Sequence, residues 1–164
     1  MRKIVLILAI LAMVPIAVFA EMGVGGAAFY KSPVLLGQPV NTSGVSVDQF
    51  SFGGDLRLKL SLFQAEALVL YATGSVNSLN LYLDGGLALD IAILRLSVGA
   101  GPNFTYNFSN SPVTQAGLNA KANADIKLGS FSVGLSYIMA LDLTNGINVK
   151  TSTGLLGVNV LFWM

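Results

Sequence analysis

From Phe50 to Leu62 every second residue is apolar or glycine: Phe50, Phe52, Gly54, Leu56, Leu58, Leu60 and Leu62. Between them stand Ser51, Gly53, Asp55, Arg57, Lys59 and Ser61. A period of two puts one set on each side of an extended chain, so the segment predicts a strand with one greasy and one polar face. The alternation returns down the chain. It predicts strands over Met22–Tyr30, Val47–Leu60, Ala65–Ala72, Leu79–Asp90, Leu94–Phe108, Leu118–Leu128, Phe131–Leu143 and Val149–Met164. An even number of strands brings both ends of an up-and-down barrel to one side. Ten residues at about 3.3 Å each, tilted by about 40°, rise about 25 Å, the height of the apolar band of an outer-membrane barrel.

The connections alternate in length. Two to four residues follow the second, fourth and sixth predicted strands, and Gly129-Ser130 is a tight-turn dipeptide. The segments Lys31–Ser46, Thr73–Ser78 and Ser109–Gly117 are longer and mostly polar, while Asn145-Gly146 suits a type I′ hairpin. In outer-membrane barrels short turns face the periplasm and long loops face outside, which puts both termini on the periplasmic side.

Alternation alone does not separate a membrane barrel from a soluble ligand-binding barrel with its grease inside. Volume does. An eight-stranded barrel has an interior just wide enough for side chains to fill. The apolar face carries Leu, Phe, Val, Ile and Tyr on nearly every strand, whereas the polar face is rich in Gly and Ser: Gly53, Gly86, Ser97, Gly99, Gly101, Ser132, Gly134, Ser136 and Gly157. The bulky face therefore belongs outside, in lipid. Register follows from this, because a one-residue slip of the second strand would move Arg57 and Lys59 into lipid at about 2–4 kcal/mol each.

The lumen then collects the ions. Lys59 and Glu66 are expected to face each other across the first short turn, and Asp90 and Arg95 across the second. A network of Arg57, Lys59, Glu66, Asp90, Arg95, Asp125 and Lys127 is expected near the periplasmic end, with Asp55, Asp84 and Lys121 nearer the middle. With Asp142 the lumen holds six acids against five bases, a balance that favours internal pairing over a charge-selective pore. Strand directions set by turn length send Phe50, Phe52, Tyr71, Phe104 and Tyr106 to the outer rim and Phe131 and Phe162 to the periplasmic rim, forming the two aromatic girdles of a membrane interface.

The first twenty residues read as an export signal. Arg2 and Lys3 precede an apolar run over Ile4–Ala17, and Val18-Phe19-Ala20 offers a cleavage site after Ala20. The other reading of this run is a retained anchor. Cleavage leaves residues 21–164 as one barrel domain with seven basic and eight acidic residues, a net of −1.

Only 10% of the 164 residues are charged and 54% are hydrophobic, too little polar surface to cover a soluble monomer. No basic run points to nucleic acid. The chain has neither Cys nor His, so disulfides and thiolate sites are excluded and the commonest general base and metal ligand are missing. A hydrolytic Ser needs a base beside it, so a lipid-modifying enzyme is disfavoured, and no catalytic residue, metal site or cofactor is assigned.

The last nine residues close the pattern: Leu156, Val158, Val160, Phe162 and Met164 alternate to the end of the chain. Here the chain resembles small outer-membrane barrels of the OmpA/OmpX kind, with OmpW-like barrels as a second likeness. The resemblance implies an all-β, eight-stranded antiparallel up-and-down transmembrane barrel behind a cleavable signal peptide, in the outer membrane of a Gram-negative-type bacterium. It also implies that those five residues form a signal read by the barrel-assembly machinery, with periplasmic chaperones as earlier partners. The chain departs from that group by ending in Met164 in place of an aromatic residue. The expected role is structural or adhesive, exercised through the outer loops, with membrane lipid as the standing partner and the external partner unspecified. The alternative role is a small pore or transporter for hydrophobic or small polar solutes.

Overall fold

The computed structural model describes residues 20–32, 47–74, 76–109, 113–142 and 148–164, with 32, 47, 113, 142 and 148–153 described by their backbone alone. All but Ala20 of the expected export signal over residues 1–20, most of the loop after Lys31 and the Asn145-Gly146 turn lie outside these residues. The strands are β1 (Ala20–Ser32), β2 (Phe50–Leu60), β3 (Phe63–Ala72), β4 (Ser78–Ile91), β5 (Leu94–Asn107), β6 (Val113–Leu128), β7 (Phe131–Asp142) and β8 (Asn148–Trp163). Each pairs antiparallel with its neighbours in sequence, and β8 returns to β1, so the sheet closes into a barrel without an edge. The seam is tied at its end by two backbone bonds between Met22 and Met164, of 3.1 and 2.9 Å.

Three hairpin turns mark one end of the barrel, here the turn end. The pairs Leu60↔Phe63, Ile91↔Leu94 and Leu128↔Phe131 leave two residues in each. The first residue of each turn has positive φ: Ser61 57°, Ala92 54° and Gly129 67°. Such a turn matches the right-handed twist of the flanking strands.

This geometry corrects one expected pair. Lys59 faces Gln64, and Arg57 faces Glu66. The expectation placed the turn centre one residue too late, because Phe63 continues the outward row of β3 and is 68% exposed. Asp90 does face Arg95. The two largest boundary shifts are at the starts of β2 and β6. Val47–Gln49 is a short 3-10 turn rather than the start of β2. β6 begins at Val113 rather than Leu118, and Thr114–Gly117 are exposed on both faces. A paired strand standing clear of the apolar belt needs no alternation, so its sequence carried no period to detect.

The outward rows form a continuous apolar belt. Leu56 and Leu58 of β2, Leu87 and Leu89 of β4, Leu96 and Val98 of β5 and Val133 and Leu135 of β7 are all exposed. Aromatic pairs border the belt. Tyr30–Phe50, Phe50–Phe52, Tyr71–Phe108 and Tyr106–Phe108 lie at the loop end with centroids 5.1 to 6.4 Å apart, and Phe131–Phe162 lies at the turn end at 5.1 Å. The charged side chains described on the strands all belong to the opposite, lumen-facing rows.

Candidate functional site

The lumen is layered along its axis. At the turn end Arg95 is its hub. Its guanidinium donates to Asp90 from Nε (2.6 Å) and Nη2 (3.0 Å), and Nη2 also donates to Glu21. Lys59 and Lys127 approach the same Asp90 carboxylate at 3.1 and 3.5 Å. Trp163 stacks on the Arg95 guanidinium, with 4.1 Å to the ring centroid, and donates its Nε1–H to Ser132 at 2.8 Å.

The next layer is fully enclosed. Arg57 is completely buried and contacts three carboxylates. It donates to Asp55 from Nη2 (2.7 Å) and Nε (3.1 Å) and to Asp125 from Nη1 (2.8 Å), and its Nε lies 3.3 Å from Glu66. Lys121 pairs with the same Glu66 oxygen, Oε1. Asn119 donates to Asp84 at 2.5 Å. An amide and hydroxyl chain links the walls: Asn159 donates to Ser136, Ser136 to Asn123, and Asn123 to both Ser97 and Glu66. Isolated ions at this depth would cost many kcal/mol, and ion pairs and hydrogen bonds are what make their burial tolerable.

Above the ions lies an apolar layer that was not anticipated. Ala27, Phe29, Leu68, Leu70 and Ile138 pack together across the lumen, with Tyr82 and Leu155 against them. Phe29, Leu68, Leu70 and Ile138 are at most 2% exposed. The argument that bulky groups belong outside holds for the barrel as a whole and fails here, because glycine on a neighbouring strand makes room. Phe29 pairs with Gly157, where a Cβ would collide with the ring. Trp163 pairs with Gly23, where a Cβ would sit 3.0 Å from three ring atoms. Covering a strand glycine with a neighbouring ring is a known way to recover packing lost with the side chain. Lys121 joins the two layers, its ammonium 5.5 Å from the Phe29 centroid.

At the loop end the lumen widens into a cup of about 680 Å³, bounded among others by Asn80, Asn103, Thr105, Gln115 and Asn119, with Tyr82, Ile138 and Leu155 beneath.

The ten expected lumen residues are therefore all on lumen-facing rows, distributed over two levels. Lys59, Asp90, Arg95 and Lys127 form the lower cluster, and Asp55, Arg57, Glu66, Asp84, Lys121 and Asp125 form the upper one. The side chain of Asp142 lies outside the description. Glu21 was missed because its strand is glycine-rich and barely alternates. Trp163 was missed because the outward row Leu156, Val158, Val160, Phe162 and Met164 drew attention to the opposite parity. That row does face outward, each member 42–61% exposed. The described residues contain no cluster of acids able to hold a metal ion.

A closed eight-stranded sheet with bulky apolar groups outside and ions inside is the architecture of a small transmembrane β-barrel. Two solved structures from Pseudomonas aeruginosa share it. The N-terminal β-barrel domain of OprF is similar at 15% identity with a TM-score of 0.59, covering 89% of this chain and 98% of that one. The outer membrane protein OprG is similar at 11% identity with a TM-score of 0.56, covering 88% and 95%. These likenesses are of fold. No family model and no curated protein matches the chain.

Proposed function

We propose that the protein is an outer-membrane barrel whose lumen is closed to solutes and whose role, non-catalytic, is structural or adhesive at its loop end. In this reading the turn end and both termini are periplasmic, and the outward row ending at Met164 is the segment that the assembly machinery reads. One observation carries the closed lumen. Two consecutive layers fill the cross-section, first Arg57 with its three carboxylates and then Phe29, Leu68, Leu70 and Ile138. An ion crossing the apolar layer would leave its hydration shell with no compensating ligand, and a neutral solute would have to displace a packed ion network below it. The likeness in fold to an outer membrane protein supports the location.

Planar-bilayer recording tests this. The folded barrel should insert without steady current. Reproducible unitary steps would instead establish the transporter reading.

A further inference from the structure

We propose that the cup at the loop end is a binding site for a small, uncharged, polyhydroxylated solute, of the size of a mono- or disaccharide. This extends the adhesive reading above without depending on the closed lumen.

The volume is the first reason. About 680 Å³ falls within the range of small-molecule sites, roughly 300–1,000 Å³. The second is the chemistry of the wall. Asn103 and Gln115 each offer a donor and an acceptor, and Asn80 and Thr105, joined by a 2.7 Å hydrogen bond, keep further hydrogen-bonding capacity. Among the described lining residues the charged groups are Lys31 and Asp48, of opposite sign. Amide walls match hydroxyl groups, which also both donate and accept. Without an opposite full charge they compensate only part of the desolvation of a phosphate or an ammonium, and a purely apolar solute would leave them unpaired.

The floor is the third. Tyr82, Ile138 and Leu155 give an apolar base under polar walls. A sugar ring has the same two-sidedness, with C–H groups on its face and hydroxyls around its edge.

In a closed barrel the ligand is bound and not passed on, since the packed layer lies beneath it; the binding chemistry of the cup is the same in either case. The cup thus takes the chemistry of a receptor for neutral saccharide, whether as free sugar or as the end of a glycan chain.

The test uses the full barrel refolded in a detergent without a sugar headgroup, titrated with maltose by calorimetry and by saturation-transfer NMR. Saturable one-site binding is expected, unchanged by about 0.5 M NaCl because no ion pair contributes. The double variant Asn103→Leu/Gln115→Leu should bind at least about tenfold more weakly, as expected for loss of hydrogen bonds at a partly desolvated site. Heat-dependent gel migration should show that this variant still forms the barrel. Competition by dextran would assign the site to a chain end, and its absence to free sugar, either being consistent with the proposal. Failure of maltose to saturate the wild type, equal binding by the double variant, or tighter binding of inorganic phosphate than of maltose would each overturn it. The bilayer recording separates the two proposals. A silent barrel that ignores maltose sinks the cup alone, and a conducting barrel that maltose blocks sinks the closed lumen alone.

Discussion

In the turn half of the lumen most of the large side chains are paired ions, with Trp163 stacked on one of them. In the loop half they are apolar, the Phe29 ring over Gly157 and the branched chains Leu68, Leu70 and Ile138. Arg57 meets three carboxylates in the first region, and Phe29 lies over Gly157 in the second. Both regions fill the same narrow bore, yet they respond to damage differently. Removing an ion leaves its former partners charged and without water, so the cost exceeds the value of the lost bond. Removing a ring leaves a dry space whose cost scales with the volume lost. The ionic half therefore specifies geometry sharply, and the apolar half tolerates exchange as long as volume is conserved.

The largest expected effect falls on the ionic half. Arg57→Met should lower stability by about 5 kcal/mol, since three carboxylates lose their common cation. Urea titration of the folded barrel in micelles, followed by gel migration, would read the loss, and an unchanged midpoint would dismiss the hub role of Arg57. In the apolar half Phe29→Ala should cost about 3–4 kcal/mol. Gly157→Ala should also destabilise the wild type, but much less so in the Phe29→Ala background, because the ring it would strike is gone. Equal effects in both backgrounds would refute the ring-over-glycine packing.

A third change probes the outside against the inside. Leu83 faces outward on β4, next in sequence to the lumen residue Asp84. Leu83→Lys should cost about 2–3 kcal/mol in a lipid vesicle, whereas a water-facing surface would accept it at almost no cost. The smallest expected effect is at a turn. Ala92 holds φ 54°, a conformation that a side chain disfavours by about 1 kcal/mol or somewhat more. Ala92→Gly should therefore raise the unfolding midpoint slightly, and a lowered midpoint would show that the positive φ does not strain the turn.

Most of the architecture was legible because a barrel wall obeys one simple rule at each position. A residue points in or out, and lipid on one side makes the two directions chemically opposite. Phe52, Leu56, Leu87 and Val98 could be placed outside, and Asp55, Arg57, Arg95 and Asp125 inside, from parity together with the volume an eight-stranded bore can hold. Who touches whom was less accessible. The pair Lys59 and Glu66 was displaced because one residue of turn length shifts every partner beyond it, and Ser61 and Ala92 gave no glycine signal for the tight turns they open. The extension of β6 to Val113 was invisible because strand outside the belt has no apolar period.

The order of residues along the chain determined the alternation, the closed eight-stranded wall that follows from it, and the side on which each ion lies, since these depend only on parity and on the cost of charge in hydrocarbon. The layering of the lumen, the assignment of Arg57 to three acids, the seating of Phe29 and Trp163 over glycines and the cup at the loop end were decided by the tertiary structure alone. They arise between strands that are distant in sequence, at heights set by register and tilt, and no local pattern encodes which side chains meet across the bore.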